Sequence, residues 1–122
     1  QGLPVVIGDK DEIQRVVTNL IDNAIKYTEK GEIHLFLEQR DAFIEFAVKD
    51  TGVGIGLPKD QFGKLFERFF QERPMVDGAG VGLAICKNII DVHKGTLWAE
   101  SEGRGNGSTF KFTLPIAQQA IS

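Results

Sequence analysis

The stretch from Asp9 to Thr28 constrains the chain most, because it reads as one helix with two different faces. Ile13, Val16, Val17, Leu20, Ile21, Ala24 and Ile25 recur at three- and four-residue steps, the spacing that lines one side of a helix for burial against a core. Asp9, with Glu12 three residues on, resembles a capping box that starts the helix, and Gly31 closes it off after Thr28. Along the edge of the apolar stripe run Asn19, Asn23, Lys26 and Tyr27, also at helical spacing. Asparagine is a poor residue inside a helix because its amide competes for backbone hydrogen bonds. Two of them one turn apart ask for an offsetting role other than helix formation.

Strands follow. Pro4 to Ile7 is a short apolar run; Glu32 to Glu38 alternates, with Ile33, Leu35 and Leu37 on one side; a turn at Gln39 to Ala42 leads into Phe43 to Asp50 as an antiparallel hairpin. A period of two puts Ile44, Phe46, Val48 and Asp50 on one face, so a carboxylate continues a core-facing row. Asp50 either simply begins the turn Thr51-Gly52 or is buried and needs a donor, for which a ligand amine is one candidate. The spacing leaves both readings open. Thr96 to Ser101 and Ser108 to Leu114 form two further strands. In the second, Ser108 shares its face with Phe110, Phe112 and Leu114, and Pro115 stops it before a frayed tail.

Glycine, at 14 residues, is the compositional outlier. It clusters around Gly52, Gly54 and Gly56, around Gly78, Gly80 and Gly82, and around Gly103, Gly105 and Gly107, marking tight turns or close approach of backbone. Between the first two clusters, Lys59 to Phe70 reads as an amphipathic helix whose Phe62, Leu65, Phe66 and Phe69 stripe suits core packing. Gln71 to Asp77 has no period and reads as a loop. The second cluster opens a helix from Gly82 to Lys94, with Ile85, Cys86, Ile89 and Val92 inward and Gly95 as C-cap. A helix N-terminus reached through glycines suits phosphate, but the spacing is neither that of a dinucleotide fold nor that of a P-loop.

A chain of 122 residues fits a single domain, 1–122. Its net charge of -3 argues against an electrostatic nucleic-acid binder. Cys86 is the only cysteine, so no internal disulfide forms and a reducing compartment is compatible. His93 sits where it caps a helix end, and His34 lies on a polar strand face. Neither histidine has zinc-ligand spacing, and no serine sits in a nucleophile elbow. There is no membrane-length apolar run and no signal peptide, and the chain, starting without methionine, reads as a domain excised from a longer protein.

Taken in order, the asparagine helix, the Asp-x-Gly-x-Gly strand end at Asp50, the phenylalanine segment and the Gly-x-Gly-x-Gly helix start resemble the catalytic ATP-binding domain of sensor histidine kinases, in the gyrase, heat-shock chaperone, histidine kinase and MutL ATPase superfamily. The resemblance runs from Gly8 to Pro115. It implies a two-layer α/β sandwich of the Bergerat type, a mixed, mainly antiparallel sheet with helices on one face, and a further strand before Pro4. It implies Mg²⁺ held at Asn23 with help from Asn19, and phosphate contact from Lys26, these three forming the catalytic set. Tyr27 would lie near adenine and Asp50 would accept the adenine amino group. Gly52 and Gly54 would let the base approach, and Gly78, Gly80, Gly82 and Leu83 would form the second glycine box. Ser108 matches the last box; Arg68 and Arg73 are further phosphate candidates.

Gyrase-like members use a glutamate one turn before the metal asparagine as general base, and Asn19 cannot take a proton there. The resemblance therefore implies transfer of the γ-phosphoryl group to a histidine on a separate phosphoacceptor domain, followed by a response regulator. It implies a cytoplasmic, monomeric domain, without nucleic-acid or membrane contact of its own, in a protein that an outside segment could anchor. Alternatives sharing these boxes are an ATP-dependent binding module without transfer and an anti-sigma-type serine kinase.

Overall fold

The computed structural model describes residues 8–28, 30–67, 82–103 and 105–116. Helix α1 (Lys10–Lys26) begins where Asp9 holds an extended backbone and its Oδ1 accepts the N–H groups of Asp11 and Glu12. Two of the helix's orphan donors are satisfied in this way. Val16, Leu20 and Ala24 are buried, and Ile13, Val17 and Ile21 flank them against the core. Ile25, expected inward, is 56% exposed. The buried row advances in steps of four, and a residue one step past Ala24 has turned about 100° away from it.

Four strands form one sheet in the order β1-β2-β4-β3: β1 (Ile33–Gln39), β2 (Phe43–Asp50), β3 (Thr96–Glu100) and β4 (Ser108–Pro115). All three described pairings are antiparallel, so the parallel component of a mixed sheet is not found among the described residues. The run Pro4 to Ile7 lies outside them. Helices α1 and α2 (Gly82–Val92) pack on one face, where Val16, Leu20, Cys86 and Ile90 meet Val48, Leu97, Phe110 and Phe112. Aromatic pairs reinforce this layer, with Phe46 and Phe112 centroids 5.3 Å apart and Phe66 edge-on to Phe110 at 6.1 Å.

Strand β1 departs from its pattern. Leu35 and Leu37, which alternate on one side with Ile33, are 52% and 46% exposed. As the outermost strand, β1 lies at the margin of the layer that the helices cover, and only Ile33 packs against the core. The segment Lys59–Phe66 is a 3₁₀ helix rather than the α-helix expected through Phe70. Pro58 offers it no side-chain cap, and Gly63 sits in its middle, so nothing favours an α-helical nucleus. The three-residue repeat still turns Phe62 and Leu65 coreward. Phe69 lies outside the described residues.

Helix α2 ends at Val92, short of the expected Lys94. The N–H of Gly95 donates to Ile90 O at 2.9 Å and that of Lys94 to Asp91 O at 3.0 Å, a Schellman closure. Lys94, at φ 65, takes the left-handed position assigned in the sequence to Gly95. Glycine is needed at 95 for another reason: a Cβ there would lie 1.9 Å from the carbonyl oxygen of Thr113. Val92, also expected inward, is 78% exposed. The inward row instead passes from Ile89 and Ile90 to His93.

These two neighbours should respond oppositely to substitution. Lys94→Gly removes the left-handed penalty and is expected to raise unfolding free energy by about 0.5–1 kcal/mol. Gly95→Ala, which forces β4 away from the helix end, is expected to lower it by about 2 kcal/mol or more. Urea unfolding followed by circular dichroism measures both.

Candidate functional site

The polar edge of α1 has the start of α2 beside one end and the loop after Asp50 beside the other. Asn19, Asn23 and Tyr27 are half-buried and Lys26 is exposed. Across from Asn19 lies the first residue of α2: a Cβ built on Gly82 would have Asn19 Cγ and Nδ2 as its nearest neighbours, at 3.9 Å. The glycine start of α2 thus faces the first asparagine at ordinary contact range. Leu83, half-buried, packs against the core cluster. Arg68, Arg73, Gly78 and Gly80 lie outside the described residues, as does the loop from Gln71 to Asp77.

At the far end of the polar edge, β2 delivers Asp50, 3% exposed. Its Oδ1 accepts the N–H of Gly52 at 2.8 Å and that of Ser108 at 3.3 Å, while Oδ2 accepts the Ser108 hydroxyl at 2.9 Å. Ser108 sits directly opposite Asp50 in the β2–β4 register, which is why the two coreward polar residues meet. Asp50 is therefore both a turn former, through Gly52, and a buried acceptor, and the chain itself supplies the donors. A carboxylate oxygen accepts about two hydrogen bonds, so Oδ2 keeps one acceptor position among the described residues.

The loop after Asp50 is braced on two sides. Val53 N–H donates to Tyr27 O at 3.1 Å, Gly107 N–H to Gly52 O at 3.1 Å and Gly105 N–H to Val53 O at 2.7 Å. Gly52 has a packing reason to be glycine, since a Cβ there would stand 2.0 Å from Tyr27 O. The end of α1 and the strand end at Asp50 are thereby locked together. The Thr28 hydroxyl, beside Gly52, is buried without a partner among the described residues.

Ser101 belongs to this assembly and was missed in the sequence. Its buried Oγ accepts the N–H of Ile55 at 3.0 Å and donates to Gly107 O at 2.7 Å, tying the two glycine loops together. The signal was present: Leu97, Ala99 and Ser101 alternate, the same argument that turned Asp50 and Ser108 inward.

Cys86, under the asparagine edge, donates its thiol to Val16 O at 3.8 Å. Burial pushes the thiol up to about 11 from an ordinary 9.0, opposed by the Asn19 side chain and by Arg15. It is a packed, inert group. No cluster of three or more His, Cys, Asp or Glu able to hold a metal occurs among the described residues. The neutral amides of Asn19 and Asn23 fit a hard cation only if anionic ligand oxygens complete its shell, as they do for Mg²⁺ bound with phosphates. His34 pairs with Glu32 at 2.8 Å, both side chains exposed. No helix among the described residues is long and apolar enough to cross a membrane.

Comparison with known proteins agrees with this geometry. The profile of the family described as "Histidine kinase-, DNA gyrase B-, and HSP90-like ATPase" matches residues 8–118. The adaptive-response sensory kinase SasA of Thermosynechococcus vestitus is 45% identical over 119 residues, covering 93% of this chain and 30% of its own length. The chain thus spans under a third of that relative. Among solved structures, the mycobacterial sensor histidine kinase MprB superposes with a TM-score of 0.82 at 33% identity, covering 93% of this chain and 76% of that one. Full-length ShkA in complex with AMPPNP superposes with a TM-score of 0.81 at 33% identity, covering 98% and 24%.

Two measurements check the site's framework. Ser101→Ala leaves the N–H of Ile55 and the carbonyl of Gly107 without their partner and is expected to cost about 1–3 kcal/mol of unfolding free energy. For Cys86 the folded pKa lies above the unfolded one, so between pH of about 9 and 11 the unfolded chain binds fewer protons and stability falls as pH rises. The stability advantage of wild type over Cys86→Ala is therefore expected to shrink across that window, by at most about 1.4 kcal/mol per pH unit. Denaturant titrations at stepped pH on both proteins measure it.

Proposed function

Since the chain belongs to the histidine kinase-, DNA gyrase B- and HSP90-like ATPase family, with sensor histidine kinases among its relatives, we propose that it binds Mg-ATP and transfers the γ-phosphoryl group to a histidine on a separate phosphoacceptor domain. The observation that carries this reading is the placing of two unlike polar ends along one helix. Asn19 faces the glycine start of α2, and the end of α1 at Tyr27 is bonded to the loop that follows Asp50. Eight residues of helix separate Asn19 from Tyr27, about 12 Å at the helical rise, a distance suited to holding a base at one end and a polyphosphate at the other.

In this reading the remaining acceptor position on Asp50 Oδ2 takes the adenine amino group. Ser108 holds that carboxylate in place, Gly54 leaves room for the base, and Tyr27 lies beside it. Asn23 is the metal ligand, with Asn19 assisting and Lys26 on phosphate; Gly82 and Leu83 present the start of α2, and Arg68, Gly78 and Gly80 belong to the same polyphosphate end. Bound Mg²⁺ supplies neutralisation of the phosphate charge. The chain's own residues position the nucleotide and exclude water, which is most of what phosphoryl transfer asks of a protein. Asn19 cannot act as a base, so water is not activated and the acceptor nucleophile comes from elsewhere. The acceptor histidine is neither His34, paired with Glu32, nor His93, which is bonded at both ring nitrogens. We place residues 1–122 in one such domain of a cytoplasmic signalling protein with a downstream response regulator.

Incubation with a cognate acceptor domain and labelled ATP is expected to give an acid-labile, alkali-stable phosphoprotein; an acid-stable phosphoserine would instead support the serine-kinase reading. Because Asp50 also holds the loop, Asp50→Asn would disturb fold and site together. Asn23→Ala is the cleaner variant. Alanine is the better helix former, so stability without nucleotide is expected to stay level or rise by up to about 0.7 kcal/mol, while transfer falls at least about 100-fold. Unchanged transfer with that variant would overturn the assignment of Asn23.

A further inference from the structure

We propose that His93 is a positioning residue for the nucleotide site: it pins the start of α1 to the end of α2, at the opposite end of the helix pair from the asparagines. This rests on the nucleotide reading above. The two helices run antiparallel, with Asp9 against His93 at one end, Val16 O against the Cys86 thiol in the middle and Asn19 against Gly82 at the other. His93 Nδ1 lies 2.8 Å from Ile89 O on its own helix, and Nε2 accepts the N–H of Asp9 at 3.0 Å.

A backbone carbonyl can only accept and a backbone N–H can only donate. The ring is therefore the neutral Nδ1–H tautomer, and both of its nitrogens are engaged. Asp9 is the residue whose carboxylate starts α1, so the bond fixes the helix at its first turn. The ring also lies hard against the preceding backbone: a Cβ on Gly8 would stand 2.7 Å from His93 Cδ2.

The apolar contacts between Val16, Leu20, Cys86 and Ile90 hold the helices together, but apolar burial is non-directional and leaves small tilts inexpensive. The Asp9–His93 bond is directional and stands at the end of a long lever. At about 1.5 Å per residue, Asn19 lies about 15 Å and Asn23 about 21 Å along α1 from Asp9. The other end of α1 is bonded to the sheet through Tyr27 O, so a loosened start swings about that end. Asn19, a little under halfway from Tyr27 to Asp9, moves about 1 Å when Asp9 is displaced by about 2 Å, and a misplacement of about 1 Å can cost about 100-fold in rate. A residue remote from the nucleotide thereby sets how Asn19 stands against Gly82.

The test compares His93→Gln, His93→Asn and Gly8→Ala with wild type, in transfer rate, calorimetric affinity for ATP with Mg²⁺ and with chelator, and thermal stability without nucleotide. Glutamine reaches the position of Nε2 and can accept from Asp9. Asparagine reaches only that of Nδ1, so it keeps the helix-end bond and loses the bond between helices. His93→Gln is expected to stay within about 3-fold of wild type, and His93→Asn to lose at least about 10-fold in transfer at temperatures where it remains fully folded. Gly8→Ala, whose Cβ would press on the ring and also on Ile13 Cδ1 at 2.8 Å, is expected to act in the same direction and less than additively with His93→Asn. Nitrogen-15 spectra of the wild type are expected to show an unprotonated Nε2. Transfer by a folded His93→Asn within about 2-fold of an active wild type, or a loss shared equally by His93→Gln, overturns the inference alone. A wild type that binds no nucleotide overturns the functional reading, and this inference with it.

Discussion

The buried carboxylate of Asp50 is the interaction on which the site end of this fold depends. An ionised group removed from water is strongly unfavourable unless it is hydrogen-bonded. Here the donors come from two places at once, the turn at Gly52 and the facing strand at Ser108. A slip of one residue between β2 and β4 would turn Ser108 to the other face and leave Asp50 short of two of its three donors. The carboxylate therefore acts as a register mark for the two central strands as well as the closure of the loop that follows them.

From that point the bracing spreads outward through backbone groups. Gly52 carries the loop under the carbonyl of Tyr27, Val53 bonds that same carbonyl, and the Gly103–Gly107 loop bonds back onto Gly52 and Val53. Ser101 joins the two loops from beneath. The last turn of α1 is thus tied to the sheet by hydrogen bonds, while its middle is held by apolar burial at Val16, Leu20 and Ala24. A site with one end fixed to a sheet and the other facing the start of a second helix has little freedom to change length. Change in the angle between the helices is the motion such bracing leaves open.

How much of this could be read from the residues follows from which forces are local. The cap at Asp9 and the inward turn of Asp50 and Ser108 depend on spacing alone, and the structure keeps them. Ile25 and Val92 were expected inward because apolar side chains recur there, and Leu35 and Leu37 share a side with Ile33, yet burial depends on what lies opposite, and at a helix margin or an outer strand little does among the described residues. The change of Lys59–Phe66 from α to 3₁₀ turned on Pro58 and Gly63, whose effect is small per residue and decided by packing. Lys94 took the left-handed position because Gly95 was already required by its contact with Thr113 O, a long-range constraint that no local pattern contains. Asn23, Lys26 and the metal are proposed from spacing and resemblance.

Two asparagines inside a helix carry a cost that their surroundings do not explain. Asn19 touches the Cys86 thiol, a weak acceptor, and lies against the start of α2. Neither neighbour needs an amide, and alanine at either position would favour the helix by roughly 0.5 kcal/mol. The buried Thr28 hydroxyl is likewise unpaired among the described residues. By contrast Asp50, Ser101 and Ser108 each close bonds that the fold itself requires. Polar groups in this protein thus divide into those whose cost the fold offsets and those whose cost it leaves standing. Among the described residues the second set holds the amides of Asn19 and Asn23 and the Thr28 hydroxyl, and in the proposed reading a bound nucleotide with its metal offsets that cost.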